Sequence, residues 1–281
     1  MDIIADSQRR TGIALVLLST VFFSLAGVLT KSISSDVWTI VCWRGLVGGV
    51  LILGFYLWQN RGPDRVLRLG WRGWVLATVG SLASLSFIAA FKMTSVGNVA
   101  VIYAAVPFAA AALEWVLLRQ MFRRATLIAA SVSVLGVCIV VSGSLGAGTL
   151  AGDGMAVLMM GLCALYLVLI RVYSATPAVM ALAVSSLQLF AISWFFTAPL
   201  AIGPQDAFLL FTFGASFAVA SVLWTIGATR ISATESGLMG AAEVPLAMLM
   251  ALLFLAEVPT LNGLVGGFVV LGAVVWHIRQ D

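Results

Sequence analysis

Charge is what this sequence has least of. Of 281 residues, 15 are Lys or Arg and 11 are Asp or Glu, 9% in all, against 62% hydrophobic. That balance excludes an ordinary soluble domain, in which about a quarter of residues are charged. Histidine occurs once, at His277, so H-E-x-x-H zinc chemistry is excluded. No phosphate-binding G-x-x-x-x-G-K-[ST] loop occurs, which argues against direct coupling to ATP. The cysteines Cys42, Cys138 and Cys163 lie inside apolar runs, where cysteine behaves as a small hydrophobe. Their odd count and the lack of C-x-x-C give no disulfide framework. Nothing here reads as an enzyme, and no cofactor or metal is called for.

What the chain does have is apolar runs recurring every 25 to 30 residues. A run of about 18 or more such residues spans a bilayer as a helix, because only a helix satisfies its own backbone groups in lipid. The fold class is therefore an all-α integral membrane protein. Ten transmembrane helices are predicted near 12–31, 37–58, 73–93, 95–118, 125–144, 153–171, 177–198, 206–229, 233–256 and 260–277. The connectors leave no room for a soluble domain. The first run, Gly12 to Thr30, exceeds a signal-peptide core of about 7–15 residues and has no small-residue cleavage site after it, so it reads as a span. Arg9-Arg10 reads as a pair of interfacial anchors.

Basic residues set the orientation, since they collect in cytoplasmic loops. With the N-terminus inside, the cytoplasmic segments hold 12 arginines: Arg9, Arg10, Arg61, Arg65, Arg68, Arg72, Arg119, Arg123, Arg124, Arg171, Arg230 and Arg279. The outer side holds only Lys31 and Lys92, and Arg44 lies within a helix. Both termini are then cytoplasmic. The net charge of +4 reflects topology, so the expected partner is the lipid bilayer and no nucleic acid. The loop from Arg61 to Arg72 suits anionic headgroups, and Trp38, Trp58, Trp71, Trp74 and Trp276 fall near predicted interfaces.

The two halves, 1–148 and 149–281, echo each other. Gly12 and Lys31 bracket helix 1 as Gly152 and Arg171 bracket helix 6, an offset of 140. At an offset of 138, Lys92 matches Arg230, Asn98 matches Ser236, and Val106-Pro107 matches Val244-Pro245. Five helices per half is odd, so the second five-helix repeat must be inverted. Inverted repeats are a recurring plan for secondary transporters, and a fused pair makes a monomer sufficient.

Several residues break the apolar pattern. Pro107 and Pro245 lie mid-helix, where proline removes a donor and frees the carbonyl of residue 103 in the first case. Symmetric kinks suit either a hinge at a cavity wall or plain structure. Glu243 is predicted about 15 Å deep in helix 9. A carboxyl at that depth faces the bundle interior or a wet cavity. It is a candidate proton carrier or ammonium acceptor, with simple packing as the alternative. Arg44, about 10 Å deep in helix 2, either snorkels or pairs with a carboxylate of the protein or a substrate. Glu114, near a helix end, reads as snorkelling. Small polar and aromatic residues complete the candidate cavity: Asn98, Tyr103, Ser24, Ser81, Ser84, Tyr166 and Trp224. Each serine alone is ordinary interhelical glue. Gly45, Gly48, Gly49 and the Gly263/Gly267 pair are packing signals.

The stretch LAEVPTLNGLVGGFVVLGAVV, residues 255–275, carries Glu257 and Gly263 at the marker positions of a "small-x-E … G … G" ending. With Lys31 closing helix 1 and Arg44 in helix 2, the chain resembles the EamA-like ten-helix permeases of the drug/metabolite transporter superfamily, most closely amino-acid exporters of the YddG type. Arg119 stands where the family often has glutamate, so the first half departs from the pattern. The resemblance implies export of amino acids, aromatic or neutral, and related small metabolites across a bacterial inner membrane. It also implies a central cavity built by helices 1–4 and 6–9. Alternatives of other kinds are a translocator of nucleotide- or phospho-sugars, which would need more midplane cations than Arg44, and a non-transporting receptor or scramblase.

Overall fold

Lipid forces apolar segments to pair their backbone internally, and the computed structural model follows that rule. It describes residues 2–60, 69–118, 124–143, 149–173, 175–228, 230, 240 and 243–280, and the regular elements among them are helices. In chain order these are α1 (Asp2–Ser32), α2 (Val37–Gln59), α3 (Gly70–Met93), α4 (Val96–Tyr103), α5 (Val106–Leu118), α6 (Arg124–Ser142) and α7 (Leu150–Val172). Then come α8 (Ala178–Ser193), a 3-10 turn (Trp194–Phe196), α9 (Pro204–Ala228), α10 (Glu243–Leu255) and α11 (Leu261–Ile278). Among the described residues, six segments are long and apolar enough to cross a membrane: Gln8–Ser32, Val37–Gln59, Gly70–Met93, Leu150–Ile170, Ala178–Phe196 and Pro204–Gly227. Arg61, Arg65, Arg68, Arg119, Arg123 and Ser236 lie outside the described residues.

Local chemistry explains where the helices begin. Asp36 caps α2 by accepting from the backbone N–H of Trp38 and Thr39. Ser95 caps α4 through the Asn98 N–H at 3.0 Å, and Thr260 caps α11 through the Gly263 N–H at 3.0 Å. The end of α10 is less ordinary. Ala256 has φ 51°, and the Glu257 N–H reaches back to the Ala251 carbonyl at 3.2 Å. The bond reaches one residue further back than the usual six-to-one closure, and Ala256 takes the left-handed position that glycine normally fills.

The predicted single helix over 95–118 is two helices. After Tyr103 the chain leaves the α-helix, and the Ala105 N–H bonds to the Ile102 carbonyl at 3.1 Å, a tighter turn. Pro107 is then the second residue of α5, where its missing N–H is not needed. The proline thus sits just past a two-residue interruption of the helix at Ala104 and Ala105. Pro245 holds the corresponding place, third in α10. Of the helix predicted over 233–256, residues 240 and 243–255 are described as helical.

The helices pack in preferred pairs. α2 lies against α8 and α9, α3 against α7 and α8, and α1 against α9 and α10, while α6 pairs with α11. α7 also touches α4 and α5, and α4 touches α10. Small residues allow the closest approaches. A Cβ on Gly45 would lie 2.6 Å from the Ser186 carbonyl oxygen of α8. Gly136 and Gly266 play the same part for α6 and α11, each facing the other's backbone oxygen, at 2.9 and 2.6 Å from a Cβ. The exterior is apolar: Phe195, Leu200, Phe208, Leu253 and Phe268 are all exposed. Contiguous apolar surface on this scale marks contact with lipid. Trp58, Trp71 and Trp74 are exposed where α2 ends and α3 begins, as an interfacial aromatic belt requires.

Candidate functional site

One end of the bundle is closed by polar contacts. Lys31, in the last turn of α1, donates to Glu257 at 2.7 Å, and the other Glu257 oxygen accepts the Val96 N–H at 2.7 Å. Lys92 donates to the Ile33 carbonyl. Asp206, near the start of α9, accepts from the N–H and hydroxyl groups of both Ser34 and Ser35. Asp153, fully buried near the start of α7, accepts from Thr94 at 2.6 Å and from Asn98 at 3.2 Å. The Trp43 indole donates to the Pro199 carbonyl beyond α8 at 2.8 Å. The chain reversals after α1, α3, α8 and α10 thus meet the starts of α2, α4, α7 and α9 through side chains. Buried polar groups are satisfied throughout this network, as stability demands.

Beneath that closed end lies a small cavity. Glu243 and Val244 of α10 line it with Ser24 and Phe23 of α1, Phe87 and Phe91 of α3, and Tyr103 of α4; Val99, Ala100 and Ala247 complete the wall. Its volume is about 10 Å³, room for about one water. Phe87 and Phe91 meet edge to face with centroids 4.7 Å apart. Phe23 meets Trp224 in the same way at 6.5 Å. The Ser24 hydroxyl bonds back to the Val21 carbonyl at 2.8 Å, so it is already satisfied. Among the described residues Glu243 makes no hydrogen bond and no ion pair.

Three predicted residues therefore converge on one space: Ser24, Tyr103 and Glu243. Trp224 adjoins it through Phe23 and lies against Gly240, whose Cβ would stand 3.0 Å from the indole. The others go elsewhere. Asn98 holds Asp153 at the closed end. Ser81 bridges α3 to α8, donating to the Ser185 carbonyl at 2.9 Å and approaching Gln188 at 3.2 Å. Tyr166 of α7 packs by Leu76, Ala77 and Met180. Pro245 is exposed on the outside of α10, and Pro107 contributes the break before α5.

Arg44 does not snorkel. It is 5% exposed, and one guanidinium nitrogen donates to Ser84 of α3 at 2.5 Å. Its carbon lies 3.9 Å from the centre of the Phe217 ring and 5.1 Å from that of Phe213, both on α9, a pair of cation–π contacts. Its Nε is buried with no partner.

Sequence reasoning missed the phenylalanine walls and the Asp206 and Asp153 anchors. The i, i+4 spacing of Phe87 and Phe91 was the available signal. The same spacing also suits a lipid-facing stripe.

An all-helical chain with several membrane-length apolar helices, an apolar exterior and charged contacts gathered at one end is a multi-pass membrane protein. Residues 10–142 match the EamA-like transporter family, which supports a place in the drug/metabolite transporter superfamily. No curated protein matches the chain. A solved crystal structure 17% identical to this chain, described only as that of a protein, superposes with a TM-score of 0.66 over 96% of each chain. That likeness is one of fold.

Proposed function

We propose that this protein is a secondary transporter that exports amino acids, aromatic or neutral, across a bacterial inner membrane by alternating access. One observation carries the reading. An acidic side chain without a described partner, Glu243, faces a cavity walled by phenylalanine and tyrosine, beneath an end tied shut by polar contacts. An unpartnered carboxyl in such surroundings is costly and is retained for a ligand or an ion. Its chemistry suits an ammonium group, and the aromatic wall suits an apolar side chain. At about 10 Å³ the cavity is too small for an amino acid, so the helices must part to admit one, as an occluded stage of a transport cycle would.

The helix pairings support a plan of ten crossings in two inverted halves, 1–148 and 149–281. Count α4 with α5 as the fourth crossing and the segment ending in α10 as the ninth. Exchanging each crossing for the one five places along turns the α1–α9 contact into α7–α3, α2–α9 into α8–α3, and α1–α10 into α7 with α4 and α5. Each of these pairs is present, and α2–α8, α6–α11 and α4–α10 map onto themselves. The charges agree: Arg9, Arg10, Arg72, Arg124, Arg230 and Arg279 flank the helix ends remote from Lys31 and Lys92, which suits a cytoplasmic face.

The test is flux of radiolabelled amino acids in proteoliposomes of purified protein. Flux above empty vesicles that saturates with concentration is expected for at least one aromatic or neutral amino acid. Flux equal to that of empty vesicles for every amino acid would remove the proposal.

A further inference from the structure

Among the described residues Arg44 is a buried cation that the cavity reading leaves unused, and its surroundings are unusual for a cation. The side chain is 95% buried, yet among the described residues it has no carboxylate partner. It rests on one hydroxyl and two ring faces, with Nε unpaired. A buried charge is ordinarily paired, because desolvation otherwise outweighs what it gains. An arginine also offers a planar fork of donors matched to a carboxylate, and only part of that fork is engaged here.

The position of Arg44 relative to the cavity gives the idle fork a use. Its one hydrogen-bond partner, Ser84, lies on α3 one turn before Phe87, which lines the cavity. On the other side, Phe217, which stacks on the guanidinium, follows Ser216, whose hydroxyl donates to the Phe22 carbonyl beside cavity-lining Phe23. The cation is thus tied to the helices that wall the Glu243 space, through Ser84 to α3 and through α9 to α1. Glu243 and Arg44 give the bundle interior one acidic and one basic group, and among the described residues neither makes an ion pair.

We propose that Arg44 is the carboxylate-binding subsite of this cavity. When the helices part, Arg44 exchanges the Ser84 hydroxyl for the α-carboxylate of a zwitterionic substrate whose ammonium group lies toward Glu243. The proposal rests on the exporter reading and adds what that reading lacks, a group that tells an amino acid from a plain amine. The aromatic wall makes phenylalanine the apt probe, with phenethylamine, which lacks only the carboxylate, as its counterpart.

The experiment measures binding of both compounds to the purified full chain by calorimetry, and their flux in proteoliposomes, for wild type, Arg44→Gln and Arg44→Lys. Arg44→Gln is expected to weaken phenylalanine binding at least about tenfold and to leave phenethylamine within about twofold, with Arg44→Lys intermediate. Equal loss for both compounds, or no loss for either, overturns the subsite. If wild type moves phenylalanine in those cases, the exporter reading survives alone. Arg44-dependent binding without flux of any amino acid would have the reverse meaning: the subsite stands and the exporter reading falls. If wild type neither binds nor moves phenylalanine, the subsite falls, and flux of the other amino acids decides the exporter reading. Should Arg44→Gln fail to fold, the wild-type protein serves instead. Phenylglyoxal modification of Arg44, read by peptide mass spectrometry, is expected to be slowed by phenylalanine and unaffected by phenethylamine. Equal protection by both, or by neither, overturns the proposal.

Discussion

Asp153 and Ala256 show how single residues hold the closed end. Asp153 is fully buried and receives Thr94 and Asn98. Asp153→Ala strands both donors, so it is expected to lower stability by about 2–3 kcal/mol, measured as a shift in thermal unfolding in detergent. Ala256 adopts φ 51°, a left-handed conformation that costs a non-glycine residue about 1 kcal/mol. Ala256→Gly is therefore expected to stabilise the folded chain by roughly that amount, read in the same unfolding assay. A loss of stability would mean that the Ala256 methyl makes contacts worth more than the strain. Glu243 belongs to this scale as well. Glu243→Gln is expected to reduce amino-acid flux at least about tenfold while leaving thermal stability nearly unchanged, since the carboxyl has no described partner to lose. Lys31 and Glu257 were each legible as single residues, but 226 positions separate them, and only the fold brings Nζ and Oε2 within 2.7 Å. Their side chains are 25% and 20% exposed, so a double-mutant cycle is expected to give a modest coupling of about 0.5–1 kcal/mol.

At the scale of helices, the hydropathy pattern located several of the spans closely. The predicted 37–58 and 73–93 are found as Val37–Gln59 and Gly70–Met93. Polar or charged residues mark those edges, and lipid leaves an apolar run no alternative to helix. The break between α4 and α5 was not legible, because Ala104 and Ala105 are as apolar and helix-favouring as their neighbours. Pro107 signalled a disturbance but not its form. The pairing of helices was only half legible. The small residues in α2 and α11 announced close packing, yet the glycine of α11 that meets α6 is Gly266, not either member of the Gly263/Gly267 pair. A glycine shows that something approaches and leaves open what. Gly136→Leu is expected to destabilise the protein by about 1–3 kcal/mol through overpacking against Gly266 and Val270. A change at Gly54, where no atom would meet a Cβ, is expected to be silent in the same measurement.

At the scale of the molecule, the membrane class followed from composition, since a chain with so little charge cannot make a soluble surface. The orientation we propose rests on where its few cations lie. The cavity was legible only in part. Glu243 stood out because a carboxyl is rare in an apolar helix, and Tyr103 and Ser24 because they are polar. Phe23, Phe87 and Phe91 were hidden, since a phenylalanine facing lipid and one facing a cavity look the same in a sequence this apolar. The account as a whole turns on two halves that cross the membrane in opposite senses. Its most direct test is labelling of single cysteines, in a background lacking Cys42, Cys138 and Cys163, by a membrane-impermeant thiol reagent on intact cells and on inverted vesicles. The positions are Gln8, Ser34, Ala201 and Gln280, all at exposed sites. The account predicts that Ser34→Cys and Ala201→Cys react only from outside, and that Gln8→Cys and Gln280→Cys react only from inside. Reaction of positions 8 and 280 on opposite faces would mean an odd number of crossings and would contradict it.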